Sequence, residues 1–218
     1  MRRRAPEPLP GMPSLEHKPG LANDTLRELA PLLAEEGIDV DSIDVPDIET
    51  LQAAMNRAVE RLNMARFTPV GQAREYAITT LRLVIEAIAD GDTRLAAAIL
   101  DSVPPESPDG TSATVAGCIG VALGLLDDWL SGHDPNAPTG LAQRARLPAG
   151  HWRGERATTD ILALAGKGRA FRSLDTLITR QGGQHVLYGA ALSLAAATQS
   201  WAEQTDTPLL ELVHTVVG

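Results

Sequence analysis

The feature that most restricts how this chain folds is a pair of long stretches without a single charge, residues 110–126 and 181–202. Such a segment must be hidden from water, either by lipid or by the rest of the chain. Neither reaches the roughly 20 continuously apolar residues of a membrane span, and the second is interrupted by Gln181, Gln184, His185, Gln199 and Ser200. Both are expected to be helices at the centre of a water-soluble body. Gly117, Gly120 and Gly124 recur along the first at helical spacing. An interior helical glycine is roughly 0.8–1 kcal/mol worse than alanine, so three of them point to a compensating close backbone approach.

The two stretches also echo one another. GCIGVALGLLDDW at 117–129 and GAALSLAAATQSW at 189–201 share an opening glycine, a closing tryptophan and a small-residue body, and each follows a shorter amphipathic segment. Two related helical hairpins and coincidence between alanine-rich helices account for the match equally well. In either case the two segments are expected to pair at the middle of the fold.

Helical periodicity recurs through the remaining chain. Residues 1–20 contain five prolines and two glycines without an apolar repeat, which predicts a disordered tail. Asn23 or Asp24 can cap a helix over LRELAPLLAEE that Gly37 ends. Ile48, Leu51, Met55, Ala58, Val59 and Leu62 mark a second helix, Ile78 to Ile88 a third after Pro69, and Asp92 caps a fourth. PPESPDGTS at 104–112 reads as a loop, as does the longer connection from Ser131 to Arg156 with its Pro135, Pro138 and Pro148. Helices follow at 157–165, 169–180, 184–204 and 208–217. The expectation is an all-α bundle of about seven to nine helices in one domain, 21–218. The 132–156 loop marks a subdivision into 21–131 and 157–218.

Charge and composition narrow the function classes. The net charge of −9 is concentrated early, because residues 21–60 hold ten acids against two bases. An acidic surface repels duplex DNA, and aromatic residues at 3% leave few platforms for base stacking. Both observations disfavour nucleic acid. The single Cys118 excludes an intramolecular disulfide, and no apolar export segment follows Arg2, Arg3 and Arg4. A cytoplasmic setting, with no membrane association, is expected. Cys118 lies among apolar neighbours as an inert buried thiol, and GKGR at 166–169 reads as a turn, since it lacks the rest of a phosphate loop. His185 and His214 stand in apolar helices and are expected to be satisfied by packing and hydrogen bonds rather than by ligands.

Two regions are candidates for binding or chemistry. Glu35 to Glu49 holds seven acids and no base. Asp39, Asp41 and Asp44 imitate the start of a calcium loop, but the required glycine and glutamate are missing at its sixth and twelfth positions, where Asp44 and Thr50 stand. This segment is better read as a docking surface for a basic protein partner. Around the second loop, Asp127, Asp128, His133 and Asp134 precede His151, Trp152, Arg153, Glu155 and Arg156. Asp128, His133 and Asp134 are the residue types that ligate a divalent metal, and His151, Trp152, Arg153 and Arg156 suit an anionic ligand. Turn chemistry explains His133 to Asn136 as well.

No nucleophile elbow, zinc helix, dinucleotide loop or paired-cysteine motif occurs. The leading reading is a non-enzymatic helical interaction or adaptor protein without a cofactor, acting through its acidic segment and tail with a protein partner, a second copy of itself, or both. The alternatives are a small metal-dependent hydrolase centred on 127–156 and a helical ligand-sensing module.

Overall fold

The computed structural model describes residues 30–35, 37–38, 48–107, 110–131, 137–145 and 152–216. The described chain is an all-α bundle of ten helices. They are α1 over 30–35, α2 (Ile48–Phe67), α3 (Gly71–Ala89), α4 (Thr93–Asp101), α5 (Val115–Ser131), α6 (Ala137–Arg144), α7 (Glu155–Ala165), α8 (Leu174–Gln181), α9 (Gly183–Thr205) and α10 (Leu209–Val216). The expected tail at 1–20 falls outside the described residues.

The chain divides into two compact units, Met1–Ala58 and Val59–Gly218. In the first, Leu33, Ile38, Ala54 and Ala58 are buried, and Gly37 ends α1 as its sequence position predicts. Its amide donates to the Ala34 carbonyl, while Ile38 N–H reaches back to Leu33, the pairing that closes a helix through a left-handed residue.

In the second unit the expected central pairing is present. Helix α9 packs most extensively on α5 and α7, and also meets α3, α4, α6, α8 and α10. Every residue from Val186 to Thr198 is buried, as a helix surrounded on all sides must be. Its serine and threonine hydroxyls are satisfied within the helix itself. Ser193, Thr198 and Ser200 donate to the carbonyls of Gly189, Leu194 and Ala196 at 2.8–2.9 Å, so burying them leaves no unpaired donor.

The close approach inferred from the glycines is also present, but unevenly distributed. A Cβ at Gly120 would overlap the Phe67 carbonyl oxygen and lie 2.5 Å from its carbon, whereas one at Gly124 would meet only Met64 Cε at 3.7 Å. On α9, a Cβ at Gly189 would come within 2.7 Å of both Ala157 Cβ and Thr158 N, and one at Gly154 would fall 2.5 Å from Gly189 N. Two glycines facing each other thus set the crossing of α7 on α9.

The turns follow the sequence closely. At Asp90–Gly91–Asp92, Gly91 takes a left-handed φ of 77° and its amide bonds to Ile88, while Asp92 N–H returns to Ala87 at 2.8 Å. Asp92 then caps α4 by accepting from Leu95 N–H at 2.9 Å. GKGR is a turn, with Gly168 at φ 59°.

Three expectations are corrected. The connection from Ser131 to Arg156 contains a helix, α6, seated by buried Leu141 and Ala145, and Pro138 is tolerated because it falls in the first turn. Helix α8 begins at Leu174 rather than 169, since residues 170–173 form a turn in which the Phe171 and Arg172 amides bond to Glu60. His185 and His214 are exposed, not packed into the core.

Candidate functional site

Helix α4 ends at Asp101, and the described chain resumes at Trp152 after the second loop; both meet α9 at Tyr188. Tyr188 is a large aromatic in an otherwise small-residue helix and is only 1% exposed. Burial obliges its hydroxyl to find a partner. It lies 2.9 Å from Asp101 Oδ1 and 3.0 Å from the Ala97 carbonyl, both acceptors for its single proton. The Trp152 ring leans on the Tyr188 ring with centroids 4.8 Å apart and planes at 59°. Its Nε1 donates to the Tyr188 carbonyl at 3.2 Å. Arg153 donates to the same Asp101 carboxylate at 3.2 Å, and Gln184 Nε2 donates to the Leu100 carbonyl at 2.7 Å.

Of the residues expected to bind an anion, Trp152 and Arg153 are therefore brought together, but each is turned toward its own chain. Arg156 is exposed on α7. His151, His133, Asp134, Asp39, Asp41 and Asp44 lie outside the described residues, and only the backbone of Asp128 is described. Among the described residues no group of three or more His, Cys, Asp or Glu side chains is placed to hold a metal ion.

No protein-family model, curated protein or solved structure matches this chain. The functional reading therefore rests on its own residues. Burial, the bond to Asp101 and the Asp101 charge push the Tyr188 phenol up to about 12, partly opposed by Arg153. The raised value gives a direction for stability: Tyr188 contributes fully below the ordinary phenol value of 10.0 and loses that contribution as pH rises through about 12. Denaturant melts of the parent should therefore weaken between pH 10 and 12. In Tyr188→Phe they should be weaker at neutral pH but flatter across that window. An equal alkaline loss in both proteins would show that Tyr188 is not the responsible group.

A second cluster was not anticipated. Glu60 on α2 accepts the amides of Phe171 and Arg172, one on each carboxylate oxygen, both at 2.7 Å. Asn63 Nδ2 donates to the Phe171 carbonyl at 3.2 Å and Arg66 pairs with Asp175 at 3.1 Å. One face of α2, at positions 60, 63 and 66, thus holds the turn before α8. Desolvation raises the Glu60 pKa, and the charge of half-buried Asp127 adds to it, against the two amide bonds and Arg172. Only the i, i+3, i+6 spacing of polar residues hinted at this grip, and nothing in the sequence indicated what it holds. Cys118 is fully buried, and burial pushes its thiol up to about 12, as expected of an inert cysteine.

Two open clefts lie on the described surface. One, of about 460 Å³, lies at the α9–α10 turn beside Glu203 and Asp206, with Glu203 paired to Arg144 at 2.7 Å. The other, about 210 Å³, lies between α3 and the residues following α4, beside Tyr76, Thr80 and Ser102. Neither includes Asp101, Trp152, Arg153 or Tyr188.

Proposed function

We propose that the protein is a helical interaction module that engages protein partners through its acidic segment and N-terminal tail and carries no catalytic centre. One contrast supports this reading. Polar side chains at the described candidate region hold the chain to itself, Trp152 on Tyr188 and Arg153 on Asp101, while large apolar side chains remain in water at Val70, Tyr76, Leu83, Leu95 and Leu210. Apolar side chains left in water at these positions are available for contact with a partner. Among the described residues no helix is long and apolar enough to cross a membrane.

The acidic segment would raise the association rate with a basic partner, and that contribution would fade with salt. Affinity capture from lysate is the test, using the parent, a form lacking residues 1–20, and Asp39→Asn, Asp41→Asn and Asp44→Asn combined. A specific partner retained by the parent and lost, or weakened in a salt-dependent way, in the altered forms supports the reading. No specific partner in any form overturns it. An equivalent of metal in protein purified without chelators would instead favour the hydrolase reading of Asp128, His133 and Asp134.

A further inference from the structure

We propose that the outward face of α3 docks a second copy of this chain, antiparallel, with Tyr76 against the partner's Leu83 and Glu75 against the partner's Arg82. This rests on the interaction-module reading and names one partner for it. Helix α3 buries Ala73, Ala77, Leu81, Val84, Ile85, Ala87 and Ile88 against the rest of its unit. The solvent-facing flank beside this buried face carries Tyr76, 51% exposed, and Leu83, 45% exposed. Seven residues apart, they project from the same side of the helix two turns from each other, with exposed Thr79 between them.

The flanking charges decide the occupant and its direction. Glu75 and Arg82 are also seven apart, beside the apolar pair, and neither makes an ion pair among the described residues. Parallel pairing with an identical helix would set Glu75 against Glu75 and Arg82 against Arg82, and like charges in contact are repulsive. Antiparallel pairing sets each opposite its complement. It does so in one register, because the 76/83 and 75/82 pairs both centre within one residue of Thr79. That self-complementarity is what a two-fold interface between identical chains requires, each contact occurring twice. A single helix face offers less than the roughly 800 Å² per partner of a stable complex. The dimer is therefore weak and concentration-dependent.

Sedimentation equilibrium of the full chain, from about 1 μM to about 1 mM, the range in which weak association is read, tests the proposal. The parent is expected to shift from monomer toward dimer. Leu83→Glu should remain monomeric while keeping the parent's helical circular dichroism and melting. Glu75→Arg and Arg82→Glu should each raise the dissociation constant by about tenfold or more, since the repulsion occurs twice per dimer. The two reversals combined should restore it. A parent that stays monomeric throughout, a dimer indifferent to Leu83→Glu, or a double reversal no tighter than either single one would overturn the proposal. Because these substitutions leave the acidic segment and tail intact, a parent that stays monomeric yet captures a partner rejects this inference alone. Dimerisation with no captured partner rejects the functional reading alone.

Discussion

Replacing Gly120 with alanine is expected to destabilise the protein by roughly 1–3 kcal/mol or more, the range for overpacking a filled interior, although alanine is the better helix former. The added methyl would overlap the Phe67 carbonyl oxygen. That atom is backbone at the end of α2 and has no rotamer through which to yield. Gly189→Ala and Gly154→Ala should behave similarly, since each new Cβ would fall within 2.7 Å of the other helix's backbone or Cβ atoms. Gly124→Ala is the control. Its neighbour is the flexible end of Met64 at 3.7 Å, so it should gain up to about 1 kcal/mol from helix propensity. Thermal melts would separate the two groups, at roughly 2–4 °C per kcal/mol for a chain of this size. If all four substitutions raise the melting temperature, the close crossings are not as described.

Glu60→Ala is expected to produce the second large loss. Phe171 is a fully buried side chain, and the amides of Phe171 and Arg172 both end on the Glu60 carboxylate. Removing the acceptor leaves two donors unmet, at about 1–3 kcal/mol for each donor kept from water. Glu60→Gln should fall between parent and Glu60→Ala, because a carboxamide offers one oxygen where two amides need one each. The pH dependence distinguishes this grip from simple packing. Burial raises the Glu60 pKa above 4.5, so the titration favours the fold below 4.5 and loses that contribution as pH rises through the folded value. The parent should show that fall, and Glu60→Gln and Glu60→Ala should lack it. Hydrogen exchange should also report faster opening over residues 170–181 in Glu60→Ala. Unchanged stability and exchange would show that the carboxylate is dispensable.

These two sites show how far the sequence could be read. The glycines at 117, 120 and 124 announced a close approach, and the structure supplies one. Their ranking was not legible, because whether a methyl fits is set by the chain on the other side, here the end of α2 for Gly120 and the start of α7 for Gly189. The opening glycines of the echoed segments, Gly117 and Gly189, look equivalent in sequence. A Cβ at Gly117 would find its nearest atoms at 3.2 Å and 3.3 Å, on side chains of Thr114 and Pro69, while one at Gly189 would meet backbone at 2.7 Å. Glu60 was invisible for a related reason. Its partners are amides 111 and 112 residues away, and a backbone donor leaves no mark on residue type.

The candidate site was partly legible. Trp152 and Arg153 were marked by their composition and do meet other functional-looking groups, but those groups, Asp101 and Tyr188, come from helices read only as packing elements. The sole hint was a tyrosine placed among small residues, which must find a hydrogen-bond partner once buried.

What the amino-acid order determined by itself was local: helical spacing, the Asp92 cap, the helix end at Gly37, and two segments too poor in charge to stay in water. These follow from forces acting within a few residues, so a short window contains them. Which glycines touch backbone, which carboxylate holds which amides, and which aromatic receives Trp152 were decided only when helices far apart in sequence packed together. Contact distance between such helices is a property of the assembled core, to which every neighbouring element contributes.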